Sequence, residues 1–210
     1  MKSLLLAATA VAVLAQPALA ASQISGIVAD IFAGNWPQST AVDDKLFNPI
    51  NIDTATYGIG EARLDSVAEA FGGKIQHAFA DNGAPLSWLC YDHGGMRTWF
   101  VSTGKIDQGG GILIGLVAEE PLVSTAPAAG CLASNDTLVP LPGNDIPGVG
   151  AGLADLVKRF GQAAPDANGK LSYFSQVVDA DGRPAVRNIY YTLQGGLVVA
   201  VAFTEVNVDA

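Results

Sequence analysis

One sequence pattern occurs twice in this chain, and the repetition limits the folds that the chain can adopt. The pattern begins with Gly-x-Gly and ends with Phe-Gly, running from Gly58 to Gly72 and again from Gly148 to Gly161. Between these ends, three apolar residues recur at positions i, i+3 and i+7, on one helical face, and a closing glycine suits a helix end. The pattern therefore predicts two short amphipathic helices. The matched apolar residues are Leu64, Val67 and Phe71 in the first copy and Leu153, Leu156 and Phe160 in the second.

Each predicted helix is followed by segments typical of antiparallel strands, separated by turn residues such as Asp92-His93-Gly94-Gly95. The corresponding segments are 86–88 and 171–173 (Leu-Ser-aromatic), 96–103 and 187–193 (β-rich), and 112–118 and 197–203 (apolar, led by glycines). A helix followed by antiparallel strands, present twice, predicts an α+β fold. We expect two tandem repeats, 58–120 and 148–210, each a short helix packed on a three- to four-stranded antiparallel sheet.

The first 20 residues have the features of a signal peptide. Lys2 precedes an apolar stretch, and Ala18-Leu19-Ala20 fits the small-x-small rule for cleavage. No later segment reaches about 18 uninterrupted apolar residues. We therefore expect a mature chain from Ala21 that is periplasmic or secreted and has no stable membrane insertion.

Two further segments complete the predicted organisation. Residues 21–57 begin with apolar residues at helical spacing, which predicts an N-terminal amphipathic helix lying on a sheet, followed by a polar connector. Residues 121–147 contain five prolines and predict an irregular, extended linker between the repeats.

The chain has two cysteines, Cys90 and Cys131. In an oxidising compartment two lone cysteines most simply form one disulfide, here closing a loop of about 40 residues. The alternatives are a catalytic cysteine or a metal ligand, although neither histidine lies beside a cysteine in the sequence.

Charge and motifs narrow the function classes. With 11 Lys and Arg against 20 Asp and Glu, the formal charge of −9 argues against nucleic-acid binding. The sequence has no nucleophile elbow, phosphate-binding loop or His-Glu-x-x-His motif, so we predict no cofactor and no metal. His77, Asp81, Asp92 and His93 could converge on a metal, so a periplasmic hydrolase or metal-dependent enzyme using His77, Asp92 and His93 is an alternative.

The repeated unit resembles the β-lactamase-inhibitor-protein fold, and the small outer-membrane-assembly lipoproteins have a single similar unit. The closest local match is Leu86-Ser87-Trp88-Leu89-Cys90-Tyr91-Asp92, followed by Gly94 and Gly95. The chain departs from the family in having Gly58-Ile59-Gly60 in place of Gly-Met-Thr before the helix. It also lacks the family's cysteine shortly after the helix.

The resemblance implies that a hairpin carries an aspartate into an enzyme's catalytic cleft while aromatic residues supply contact area. The corresponding partner-binding residues here are Asp92, Tyr91, His93, Trp88 and Trp99. The alternative is that Asp92 and Gly94 form the turn and the two tryptophans fill the core. We expect an exported, non-catalytic module that binds a protein partner in the envelope or outside the cell, with enzyme inhibition as the specific form. A structural envelope protein without an enzyme target is the other alternative.

Overall fold

The computed structural model describes residues 24, 26–32, 34, 36–42, 46, 50–52, 55–79, 85–103, 115–119, 130–134, 138, 141–142, 145–178 and 182–208. The signal-peptide prediction for 1–20 lies outside these residues. The fold is α+β, as expected. Within the described residues, no helix has the length and apolar content needed to span a membrane.

The described helices are α1 (Gly26–Phe32), α2 (Leu64–Phe71) and α3 (Leu153–Phe160). The described strands are β1 (Thr40–Ala41), β2 (Ile50–Ile52), β3 (Ala55–Tyr57), β4 (Gln76–Phe79), β5 (Pro85–His93), β6 (Met96–Thr103), β7 (Gly115–Glu119), β8 (Leu132–Ala133), β9 (Leu141–Pro142), β10 (Lys170–Val178), β11 (Pro184–Gln194) and β12 (Leu197–Asn207). All three predicted helices are confirmed. Three short strands, β1, β2 and β3, lie in the predicted connector, and two more, β8 and β9, lie in the predicted linker.

Most strands belong to one large sheet of order β1-β10-β11-β12-β7-β6-β5-β4, with β8 also pairing with β5. The pairings of β1 with β10 and of β8 with β5 are parallel, and the others in this sheet are antiparallel. A second sheet has the order β3-β2-β9. The strands that follow α2 and those that follow α3 thus form one continuous sheet, joined where β7 pairs with β12.

Both faces of the large sheet carry a hydrophobic core. We call the face that bears Tyr91 and Tyr191 the helix face, because α2, α3 and Tyr57 of β3 contribute to its core. We call the opposite face the disulfide face, because Cys90 and Trp99 lie in its core beneath Ile27 and Val28 of α1. The apolar spacing of α1 therefore covers a sheet, as the sequence predicts.

The two predicted helices end as their glycines indicate. Gly72 follows α2 with φ of 76°, and Gly161 follows α3 with φ of 78°. The N–H of Gly161 donates to the Val157 carbonyl at 2.8 Å. At the start of α3 the N–H of Gly152 donates to Asp155 Oδ2 at 2.8 Å, whereas α2 begins after Arg63 with no side-chain cap.

One sequence match is wrong. The pattern equates Trp88 with Tyr173, but Trp88 lies in the core of the disulfide face and Tyr173 in the core of the helix face. Tyr173 packs against Phe160 of α3, whereas the tyrosine that packs against Phe71 of α2 is Tyr91, three residues after Trp88. Because strand side chains alternate between faces, a three-residue shift reverses the face.

Candidate protein-contact surface

The three aromatic residues that the resemblance singles out are buried. Trp88 and Trp99 lie in the core of the disulfide face, and Tyr91 lies in the core of the helix face. The Tyr91 hydroxyl donates to the Gly72 carbonyl at 2.6 Å. Burial, with a smaller contribution from Tyr57, raises the pKa of Tyr91 to about 12. These side chains form the core, and their burial favours the core interpretation over a contact platform.

Asp92 is engaged within the chain. Its carboxylate accepts hydrogen bonds from Arg97 Nε at 2.7 Å and from Arg97 Nη2 at 3.1 Å. This bidentate ion pair joins residues that lie opposite each other on β5 and β6. The Asp92 side chain is 20% exposed and the Arg97 side chain 8% exposed. The Arg97 guanidinium lies 5.9 Å from the Trp99 ring centroid. Gly94 and Gly95 form the turn with positive φ at both positions. The aspartate expected to enter a partner's cleft is thus paired with the chain's own arginine.

His93 is buried on the opposite face of the same strand. Its Nε2 lies 2.9 Å from Thr98 Oγ1, and the Thr98 hydroxyl donates to the Leu138 carbonyl at 2.7 Å. Since the single hydroxyl proton of Thr98 is directed to Leu138, His93 Nε2 donates to Thr98. Burial lowers the pKa of His93, and the Asp92 charge opposes this shift.

The structure does not bring His77 together with Asp92 and His93. His77 is exposed on β4, with its Nδ1 2.9 Å from Ser87 Oγ. Ser87 is six residues from His93 along β5, which corresponds to about 20 Å. The structure therefore does not gather His77, Asp92 and His93 into one site. Asp81 lies outside the described residues.

The predicted disulfide joins Cys90 to Cys131, with their Cα atoms 4.5 Å apart. In the part of the chain that the structure describes, one group of three or more His, Cys, Asp or Glu residues has its possible metal-ligand atoms within 4.8 Å of one another. It consists of Cys90, Asp92 and Cys131. Because both sulfurs form the disulfide and Asp92 pairs with Arg97, this group offers no set of ligands for a metal.

An exposed apolar surface lies instead at the end of β10, β11 and β12. On its disulfide face Val186 is opposite Val206, and Val178 is opposite Pro184. Val208 lies on the other side of Pro184 from Val178, since the Val208 N–H donates to the Pro184 carbonyl at 2.9 Å. We call these five residues, Val178, Pro184, Val186, Val206 and Val208, the valine patch.

The valine patch is open to solvent. Val178 is 68% exposed, Val206 52% and Val208 49%. Four of its residues, Val178, Pro184, Val186 and Val208, line a groove of about 590 Å³ together with Gln176, Val177 and Ala185. The helix α1 does not cover the patch, because it lies at the other end of β10, where Asp30 accepts from Lys170 at 2.8 Å. Lys170 and Val178 are eight residues apart, or about 27 Å along the strand.

The valine patch also adjoins a stretch of sheet edge with which no described strand pairs, and we call this stretch the open edge. Among the described residues, β1 pairs with β10 at Tyr173 and Phe174. Within the described part of the chain, no strand pairs with β10 on that side beyond Phe174. The sequence reasoning missed this surface because it ended the last strand at 203, whereas β12 continues to Asn207. The alternation of Val206 and Val208 with polar residues was the available signal.

The comparisons with known proteins add no family. No family model, curated protein or solved structure matches the chain.

Proposed function

We propose that this chain is an exported, non-catalytic protein-binding module and that the valine patch is its contact surface. The observation that carries the proposal is the exposure of Val178, Val206 and Val208 on one face of the sheet, with Pro184 and Val186 of β11 between the strands that carry them. Contiguous apolar surface rimmed by polar residues is typical of sites that bind another protein. Farther along the same face, Ala200 and Ala202 of β12 share a hydrophobic core with α1.

The proposal also includes the two tandem repeats. Phe71 of α2 contacts Tyr91 and Phe100, which lie on neighbouring strands. Phe160 of α3 contacts Tyr173 and Tyr191 in the same way. The Tyr91 hydroxyl donates to the Gly72 carbonyl just after α2, and the Tyr173 hydroxyl donates to the Gln162 carbonyl just after α3, both at 2.6 Å. Two matching clusters of helix phenylalanine and strand aromatics support an origin by duplication.

The repeats differ in what they expose. In the first repeat, residues 131–134 lie along the β5–β6 hairpin. Strand β8 pairs with β5, Cys131 forms the disulfide with Cys90, and the N–H of Ser134 donates to the Asp92 carbonyl at 2.9 Å. The second has no such covering segment over the valine patch among the described residues. We therefore place the contact surface on the second repeat and not on the Asp92 hairpin.

A photo-cross-linker at position 206 tests the proposal in the compartment to which the chain is exported. The matched control carries the same cross-linker in place of Gln194, which is exposed at the opposite end of β11. We expect a discrete adduct with a partner protein from position 206 and at least tenfold less from position 194. Equal labelling from both positions, or none from position 206, would contradict the proposal. Inhibition, the form that the resemblance implies, is measured as loss of the captured partner's activity.

A further inference from the structure

We infer that the valine patch binds its partner by strand addition: an extended apolar segment of another protein becomes a new edge strand along Ser175–Val178. This inference rests on the proposed function and names the partner's chemistry. The segment supplies backbone hydrogen bonds to the open edge and alternating apolar side chains to the patch. Such β-strand addition takes its affinity from main-chain hydrogen bonds and its specificity from alternate side chains.

The direction of the peptide groups along β10 follows from one hydrogen bond. The N–H of Val42, just after β1, donates to the Phe174 carbonyl at 2.9 Å, so the peptide groups of Phe174 point away from β11. Because the two edges of a strand are used by alternate residues, the N–H and C=O groups of Gln176 and Val178 also point to the open edge. Ser175 and Val177 are directed to β11, opposite Arg187 and Ala185.

The same edge already accepts a strand. β1 adds to β10 in parallel, with Thr40 opposite Tyr173 and Ala41 opposite Phe174. Its attachment is strengthened by a 2.7 Å hydrogen bond between the Ser39 and Ser172 hydroxyls. An added partner strand would continue this line of pairing by two more outward-facing residues, Gln176 and Val178.

Residues 175–178 themselves contain no lysine, proline, charged residue or bulge that would hinder strand addition. Natural edge strands are protected by lysine, proline, bulges or inward-pointing charges. Residues 175–178 read Ser-Gln-Val-Val, and their pairing with β11 is regular. An unprotected edge beside an exposed apolar patch is therefore a template for a strand from another chain.

The net charge of the chain favours a different protein over a second copy of this chain as the source of the added strand. The chain carries a net charge of −9, which keeps copies of it apart. The five side chains of the valine patch are uncharged. The occupant that fits is thus an extended segment with alternating apolar residues and basic flanks, and not a second acidic copy of this chain.

Amide hydrogen exchange of the full mature protein tests the geometry with a defined probe, the peptide acetyl-Lys-Val-Thr-Val-Thr-Val-Lys-amide. In the free protein we expect rapid exchange at Gln176 and Val178 and slow exchange at Ser175 and Val177. Millimolar peptide should slow exchange at Gln176 and Val178 at least tenfold. Slow exchange at Gln176 and Val178 in the free protein, or no protection by the peptide, would overturn the inference.

A substitution at the edge separates strand addition from simple contact with the patch. Val178→Pro removes the outward N–H and leaves the ladder to β11, because proline is tolerated where the N–H faces outward. Val178→Ile keeps both the N–H and the apolar side chain and is the matched control. We expect Val178→Pro to lower the yield of the position-206 adduct at least tenfold and Val178→Ile to change it less than twofold.

The outcomes distinguish this inference from the proposed function. An adduct that persists in Val178→Pro would overturn strand addition while the contact surface stands. Absence of any adduct from position 206 in the unsubstituted chain would overturn both. An adduct of twice the chain's mass would identify a second copy as the occupant and overturn the inference.

Discussion

Val117 of β7 lies directly opposite Ala202 of β12 at the centre of the large sheet. These two residues occupy the same position when the apolar runs 112–118 and 197–203 are superposed. If β7 and β12 are equivalent strands of the two repeats, their antiparallel pairing at equivalent residues places a local two-fold axis between Val117 and Ala202. The register therefore supports the proposed duplication independently of the aromatic clusters.

Truncating the helix phenylalanines tests that equivalence. Phe71→Ala and Phe160→Ala each remove an aromatic ring that packs on two strand aromatics. Because both rings are only partly buried, we expect each variant to lose about 3 kcal/mol of unfolding free energy, the lower end of the range for phenylalanine. Urea unfolding measures the loss. Val157→Ala, at a position 43% exposed on α3, is the control and should stay within about 0.5 kcal/mol. A stability loss confined to one of the two phenylalanines would contradict the equivalence.

Separating the Asp92–Arg97 pair should reduce stability. Asp92→Ala leaves a buried guanidinium without its carboxylate, and we expect a loss of about 1–3 kcal/mol of unfolding free energy. Changing Arg97→Met in the same chain should recover part of the loss, since the unpaired charge is then absent. Denaturant unfolding of the single and double variants measures this coupling. Simple additivity of the two single losses would contradict the internal role that we assign to Asp92.

Acid should weaken the fold through His93. Because burial lowers the pKa of His93 below the unfolded value of about 6.5, the folded state favours the neutral ring. The stability from this preference is present above pH 6.5 and is lost as the pH falls through the folded pKa. We expect the wild-type chain to lose more stability between pH 7.5 and 5.0 than His93→Gln does. Equal acid sensitivity of His93→Gln and the wild-type chain would refute the prediction.

Removing the disulfide should destabilise the chain through its unfolded state. Cys90 and Cys131 are 41 residues apart, and a loop of this length corresponds to about 4 kcal/mol in the chain-entropy description. The double variant Cys90→Ala with Cys131→Ala should therefore unfold at a markedly lower urea concentration. The reduced wild-type chain is the control and should behave like the double variant. An unchanged midpoint would mean that the bridge adds little to the fold.

Local patterns in the sequence were sufficient for the elements that depend on near neighbours. The spacing of Leu64, Val67 and Phe71 predicts α2, and the two cysteines predict the disulfide. Tertiary contacts decide the rest. Strand alternation groups Trp88 with Cys90 but does not say which face is covered, and α1 covers theirs. The match of Trp88 to Tyr173 failed because short strand motifs do not fix a register.

The candidate site was the least predictable part. The resemblance directed attention to Asp92, whose engagement by Arg97 depends on the opposing strand and on burial. The valine patch arises from residues 28 positions apart, such as Val178 and Val206, that only the pairing of three strands brings together. No single segment of the sequence contains it.

The affinity of the captured partner for two aspartate variants tests the central claim most directly. The variant Val178→Asp with Val206→Asp places two charges in the valine patch, and Val157→Asp places one on an exposed valine of α3 outside the patch. Titration calorimetry with variants of unchanged folding should show at least 100-fold weaker binding for the patch variant and less than a twofold change for Val157→Asp. Wild-type affinity in the patch variant would show that the partner binds elsewhere.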